Sequence, residues 1–465
     1  MQHTVEKIGG TSKSRFGDLI GPLFLGNRTP SAIGNRIFVV SAYDGITNML
    51  LEHKKSGAAG VYQFFKNNDA AWQERLDAVL AEMQRINAGF AAIGLAVAEA
   101  NAHIHERIEG IKSCLMDLQR LCSYGHFHMT DYLPAVRELL SSVGEYHSAW
   151  NSERILRHHG ANAVLADLTG WKNTDSLGID EKIRTVFAGI DIKASLVVAT
   201  GYTKCSEGLM KTFDRGYSEI TFSKIATITG AREGIIHKEF HLSSADPKLV
   251  GTDKVKIIGE MNFDMADQLA DLGMEAIHPQ ASKGMELLNI PIRVKNAFAP
   301  GEPGTLITGS YATSEPKISM ICGRSDLIAI EINDPEMVGQ FGYDHKIVSC
   351  LTRHRISYIA KNTNANTITH YIAEKSGDLM ALSAELGREF PRANLRRLPV
   401  ALVSVVGSNL SKGGMLARAA RSLAEKNIEV LAVNQCMRQI NLQFVVTREN
   451  YRPAVVQLHE QLIPS

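Results

Sequence analysis

Three short apolar runs, rich in β-branched residues, limit what this chain can become. Ile37-Phe38-Val39-Val40 ends at Ser41, Leu196-Val197-Val198-Ala199 stops just before Gly201, and Val255-Lys256-Ile257-Ile258 stops at Gly259. A strand that is apolar along its length, rather than at alternate positions, is buried on both faces. That is the condition of a parallel sheet covered by helices. In such sheets ligand groups gather beyond the carboxyl ends of the strands, where these runs give way to small and polar residues. The expectation is an α/β domain with strands at these three places. Between Ala71 and Ser123 the period changes. Trp72, Leu76, Val79, Leu80, Met83, Ile86 and Phe90 recur at helical spacing among Glu and Arg, which predicts one or two amphipathic helices packed on a core.

After Ala297 the texture shifts again. Pro300-Gly301-Glu302-Pro303-Gly304 is a turn-rich connection that leads to a linker over 309–317. Beyond it the chain repeats itself. Leu327 to Ile332 reads as a strand, about 341–354 as a helix, and Thr367 to Ile372 as a further strand. Val400 to Val406, a helix over about 414–426 and a strand over Leu442 to Val446 repeat that order. Ile356 and Ile428 occupy matching places 72 residues apart. Each unit reads βαββ with room for a closing helix, such as 454–462, and so predicts two small α+β modules.

Length and composition agree with several domains. A chain of 465 residues exceeds one ordinary core. The formal net charge of +1 gives no basic stripe for nucleic acid. No apolar stretch is long enough to span a bilayer, and the N-terminus has no basic-then-apolar leader, so a soluble cytoplasmic protein is expected. The six cysteines form no C-x-x-C pair and no zinc-spaced cluster with histidine, so they read as reduced thiols and no protein-held metal is expected.

Two segments carry candidate chemistry. Lys7-Ile8-Gly9-Gly10-Thr11-Ser12 follows a short strand. Glycines let backbone N–H groups approach phosphate oxygens, a lysine supplies charge, and a helix starting near Ser12 would add its positive end. The order is not that of a Walker A loop. Ser41-Ala42-Tyr43-Asp44-Gly45-Ile46-Thr47-Asn48 lies where the strand 37–40 ends. Alone, each segment reads more readily as an ordinary turn than as a site.

Together they resemble the aspartokinase family. Its K-F-G-G-T-S opening is matched by Lys7 to Ser12, and its V-V-S-A-x-x-G-x-T-[ND] segment by Val39 to Asn48. A helical G-E falls at Gly144-Glu145 and an R-G-G-S-D at Arg215-Gly216-Tyr217-Ser218-Glu219. A T-D pair falls at Lys238-Glu239, a T-D-P-R at Ala245-Asp246-Pro247-Lys248, and a G-A-K-x-[LI]-H-P at 273–279. Ile8, Tyr217, Glu219, Lys238, Glu239 and Glu275 depart from the family's residues. The strings at 5–10 and 238–247 are similar to a divergent subgroup associated with synthesis of the solute ectoine.

The resemblance spans nearly the whole chain and implies an amino-acid kinase fold, an αβα sandwich with a mostly parallel sheet, over 1–310. Two C-terminal ACT domains would follow, at 318–390 and 398–465. It implies ATP-dependent phosphorylation of the aspartate side-chain carboxylate, with Lys7, Glu145 and Arg215 catalytic. Ser41, Thr47, Glu145, Arg215 and Ser218 would hold aspartate. Gly9, Gly10, Thr11, Ser12, Lys238, Glu239, Asp246 and Lys248 would join Lys7 around ATP, with Mg²⁺ carried mainly by the phosphates. Arg215 suits a bidentate carboxylate clamp. A homodimer through about 318–465 is expected, with an amino-acid effector sought near 404–415. The alternatives are another amino-acid kinase, or a catalytically weak regulatory subunit, which Tyr217, Lys238 and Glu275 would favour. His158-His159 reads as a solvated helix end rather than a metal pair, and His278-Pro279 as fixing a turn.

Overall fold

The computed structural model describes residues 3–26, 33–54, 56–213, 216–272 and 277–463. Arg215 and Glu275 lie outside the described residues. The chain divides into two compact units. One holds 1–242 with 277–309, and the other holds 243–276 with 310–465. The segment 243–276, expected within the first domain, thus belongs to the second unit.

In the first unit β1 (Thr4–Ile8), β2 (Arg36–Val40), β3 (Ala163–Ala166), β4 (Leu196–Thr200) and β5 (Glu233–Lys238) lie in the order β3-β4-β2-β1-β5, all parallel. Ile292–Asn296 continues the sheet parallel to β5, and Thr305–Ile307 pairs antiparallel beyond it. Two of the three apolar runs became strands here. Every residue of β2 and β4 is buried, as a central parallel strand covered on both faces requires. The third run, Val255 to Ile258, is no strand. It lies in the second unit, and Ile257 makes only an isolated bridge to Ser243.

A polar triad crosses the centre of this sheet. Arg36 on β2 donates to both carboxylate oxygens of Glu6 on β1, at 2.7 and 2.9 Å, and His237 on β5 meets Glu6 Oε2 at 2.7 Å. Burial alone would raise the Glu6 pKa, but Arg36 and His237 hold it well below the carboxylate range. The helical stripe is real. Trp72–Gly89 buries Trp72, Leu76, Val79 and Met83, and Val97–Ser123 packs beside it. The helix Met129–His158 is buried without a break from Leu140 to Glu153, so it carries polar side chains into the interior and not toward water.

The second unit holds a six-stranded antiparallel sheet. Its order is Ala360–Thr363, Thr367–Ala373, Lys317–Asn333, Asn394–Ser408, Asn441–Thr447, Val430–Gln435. The helices of both repeats form where expected, at Tyr343–Arg353 and Met415–Glu425. The two central strands are long and pair along nearly their whole length, which joins both modules into one sheet. Their halves serve different cores. Ile328, Ile330 and Ile332 pack with Ile347, Leu351 and Leu382, while Ile321, from the same strand, packs with Val403, Phe444 and Leu458.

Candidate active site

The carboxyl ends of β1 and β2 bring the two candidate segments face to face. Lys7 is the penultimate residue of β1, and Gly9 caps the single helical turn Gly10–Lys13 that follows. The first-turn amides of a helix have no partner inside it, so this turn presents N–H groups at its start. β2 ends at Val40 and leads into 41–45, with Gly45 in the left-handed region before the helix Ile46–Leu50. The two loops touch. A Cβ on Gly10 would lie 2.5 Å from the Ala42 carbonyl oxygen, so glycine is what permits this approach.

A cleft of about 570 Å³ opens here, bordered by Gly10, Thr11, Ser41, Thr47, Glu145 and Ser218. All six were singled out from the sequence. Glu145 projects into it from the helix Met129–His158 and is only 1% exposed. Ser218 Oγ donates to Glu145 Oε1 at 2.7 Å, and Ser41 Oγ lies 3.3 Å from Ser218 Oγ. Glu145 Oε2 is buried without a hydrogen-bond partner. Burial pushes the Glu145 pKa up to about 8, against the smaller opposing pull of Ser218, Tyr217, Lys7 and the Ala42 amide. A buried carboxyl with one unpartnered oxygen can accept an ammonium group. Gly201, after β4, makes room for it: a Cβ there would come within 2.6 Å of Glu145 Oε2.

Beside the cleft stands a second acid that sequence reasoning left out of the site. Lys7 Nζ donates to Glu219 Oε1 at 3.0 Å, and Glu219 Oε2 accepts the His278 amide at 2.6 Å. Burial raises the Glu219 pKa, but the charges of Lys7 and Lys238 and the two hydrogen bonds carry it below the usual value. The signal was present in the sequence, since Glu219 stands at the acid position of the R-G-G-S-D segment. Ser12 Oγ donates to Glu239 Oε1 at 2.8 Å, tying the glycine turn to the end of β5. His278 caps the helix Pro279–Leu287 through its Nδ1, the structural role read from the sequence. Tyr217, where the family carries glycine, is buried, borders the cleft and meets the Tyr202 ring edge-on at 5.9 Å.

Asp246 and Lys248 are not part of this first-unit grouping. They lie in the second unit, where Asp246 Oδ1 caps the short helix Pro247–Val250 by accepting the Lys248 amide at 2.9 Å.

A parallel sheet that converges a glycine turn, a lysine and a buried carboxyl at its strand ends defines the class. Residues 3–296 match the amino acid kinase family and residues 403–462 match the ACT domain. The chain belongs to the aspartate kinases: it is 49% identical over 464 residues to "Aspartate kinase Ask_Ect" of Stutzerimonas stutzeri (strain A1501), covering 99% of this chain and 97% of the relative. Among solved structures, E. coli aspartokinase III in complex with aspartate and ADP superposes with a TM-score of 0.73 at 20% identity, each chain covered fully. The same enzyme in complex with lysine and aspartate gives 0.74 at 20% identity, again with both chains fully covered. Both confirm the fold.

Proposed function

We propose that the chain transfers the γ-phosphoryl group of MgATP to the side-chain carboxylate of L-aspartate, giving 4-phospho-L-aspartate. The carrying observation is the Glu145–Ser218–Ser41 chain set against the Lys7–Glu219 pair at the ends of adjacent strands. The acceptor carboxylate is already ionised at neutral pH and needs no general base. The barrier is the approach of an anion to a polyanion, so catalysis rests on position and positive charge. Lys7 meets the phosphates, and the amides of Gly9 and Gly10 line their path. Ser41, Thr47 and Ser218 hold the reacting end, and Glu145 takes the ammonium group. Arg215 is assigned the α-carboxylate and Lys238 a place by the nucleotide. Asp246 and Lys248 remain assigned to ATP on the resemblance alone.

Mg²⁺ supplies charge neutralisation on the phosphates and keeps several waters. The acids beside the glycine turn suit that arrangement. Glu219 is engaged by Lys7 and Glu239 by Ser12, so they order waters rather than form a cage.

The second unit is read as a regulatory homodimer surface with an amino-acid effector near 404–415. Leu398, Leu431 and Val433 stay exposed on its sheet, and a relative at the fold level is complexed with lysine. The similarity to the ectoine-associated subgroup supports a product that feeds that synthesis. No helix among the described residues is long and apolar enough to cross a membrane, in keeping with action on soluble metabolites.

Trapping the acyl phosphate with hydroxylamine tests the reading, with aspartate and glutamate run in parallel. Aspartate-dependent, Mg-dependent turnover that Lys7→Ala abolishes supports it. A folded protein inert with aspartate refutes it. Turnover with glutamate alone assigns the chain another acceptor.

A further inference from the structure

Behind the cleft lies a buried polar cluster that the reaction as derived does not use. Lys13 ends the helical turn Gly10–Lys13 and is 0% exposed. Its amine donates to Ser152 Oγ, which in turn donates to the Ser148 carbonyl. It also sits 3.6 Å from the Phe16 ring centroid and 5.6 Å from that of Tyr43. Among the described residues no carboxylate lies within ion-pairing distance of it. Burial alone drives its pKa well below the ordinary lysine value.

An amine buried without a counter-charge is costly, and a lysine at an interior site is normally replaced by an apolar side chain or paired. Its placement gives it a task. Ser148 and Ser152 stand three and seven residues after Glu145, on the same face of the same helix. Lys13 stands three residues after Gly10, in the glycine turn assigned above to the phosphates. Tyr43, the third contact, belongs to the loop that borders the cleft. Lys13 therefore ties the glycine turn to which it belongs to the helix that carries Glu145, with the Tyr43 ring of the cleft-side loop within cation–π range.

We propose that Lys13 is a positioning residue for phosphoryl transfer, its buried amine fixing the glycine turn against the helix of Glu145 so that donor and acceptor meet at reacting distance. This rests on the phosphoryl-transfer reading above. Reaction within a bound complex is steeply sensitive to such spacing: a misplacement of about 1 Å costs on the order of 100-fold.

The test is Lys13→Met, which keeps length and packing and removes the amine, measured in the full-length protein. Wild-type turnover is established first, and its absence refutes the function and not this inference. With turnover in hand, the expected result is a melting temperature equal to or above wild type. kcat should fall about 10- to 100-fold while KM for aspartate stays within about threefold. An unchanged kcat at any melting temperature overturns the proposal, because a merely structural lysine moves stability and not turnover. If Lys13→Met does not fold, Ser152→Ala carries the test by removing the acceptor alone. A several-fold loss of kcat in a folded Ser152→Ala protein supports the proposal, and unchanged turnover overturns it.

Discussion

Glu145 offers the sharpest prediction. Its carboxyl is buried, has a pKa of about 8 and keeps one oxygen unpartnered. If its ionised form receives the ammonium of aspartate, substrate affinity must follow its ionised fraction. That fraction rises from about 1% at pH 6 to about 10% at pH 7 and about 50% at pH 8, so KM for aspartate should fall roughly 50-fold across the range. Initial rates at saturating MgATP, with aspartate varied from pH 6 to 8, measure it. Glu145→Gln keeps the shape and removes the titration, so its KM should be high and flat. The same group has a stability signature. Its folded pKa lies above the unfolded value of 4.5, so its contribution is complete below pH 4.5 and is lost as pH rises through about 8. The full swing is at most about 4 to 5 kcal/mol. Without ligand, Glu145→Gln should therefore gain on the wild type in urea melts as pH climbs from 5 toward 8. A KM independent of pH in the wild type, or an equal slope in Glu145→Gln, would refute the reasoning.

Three further outcomes are expected. Lys7→Ala removes the charge assigned to the phosphates and leaves Glu219 without its ion-pair partner, so kcat should fall about 100- to 1000-fold; a loss below tenfold in steady-state assays argues that Lys7 is only a partner for Glu219. Gly10→Ala puts a methyl group 2.5 Å from the Ala42 carbonyl oxygen, so the loops must part, KM should rise for both substrates, and stability should drop by about 1 to 3 kcal/mol, read by calorimetry and kinetics together. Arg36→Met takes the guanidinium from the buried Glu6 carboxylate and leaves it only His237 and Thr4, which should cost about 3 to 5 kcal/mol at pH 7. The wild-type contribution of Glu6, whose folded pKa is depressed, is present above the usual carboxylate range and lost in acid, so the variant's deficit should narrow in urea melts at low pH.

Much was legible in the chain because local physics and fold agreed. Ile37 to Val40 and Leu196 to Ala199 are apolar at every position, a pattern stable only in a doubly covered strand, and both are central strands. The glycine turn and the loop after β2 could be placed at strand ends from spacing alone. The repeat at 356 and 428 marked two modules because each buries the same face of the same elements. Val255 to Ile258 misled for the opposite reason: Lys256 and Ile257 stay exposed and only Ile258 is buried, so four apolar-rich residues did not amount to a covered strand.

Other features exist only in three dimensions. That Glu219 reaches Lys7, 212 residues away in sequence, depends on the crossing of β1 beneath the helix Tyr217–Thr229. The exchange of strand halves between the two modules follows from the length over which Lys317–Asn333 and Asn394–Ser408 pair, and a strand's pattern does not record its neighbour. Above all, nothing local distinguishes Lys13 from a solvated helix-end lysine, or Glu145 from a surface glutamate. Their exclusion from water comes from elements far along the chain. Sequence determined which segments could be strands, turns and helices, since those depend on near neighbours. The tertiary structure decided the charge state of the groups inside, because desolvation is a property of everything packed around a group.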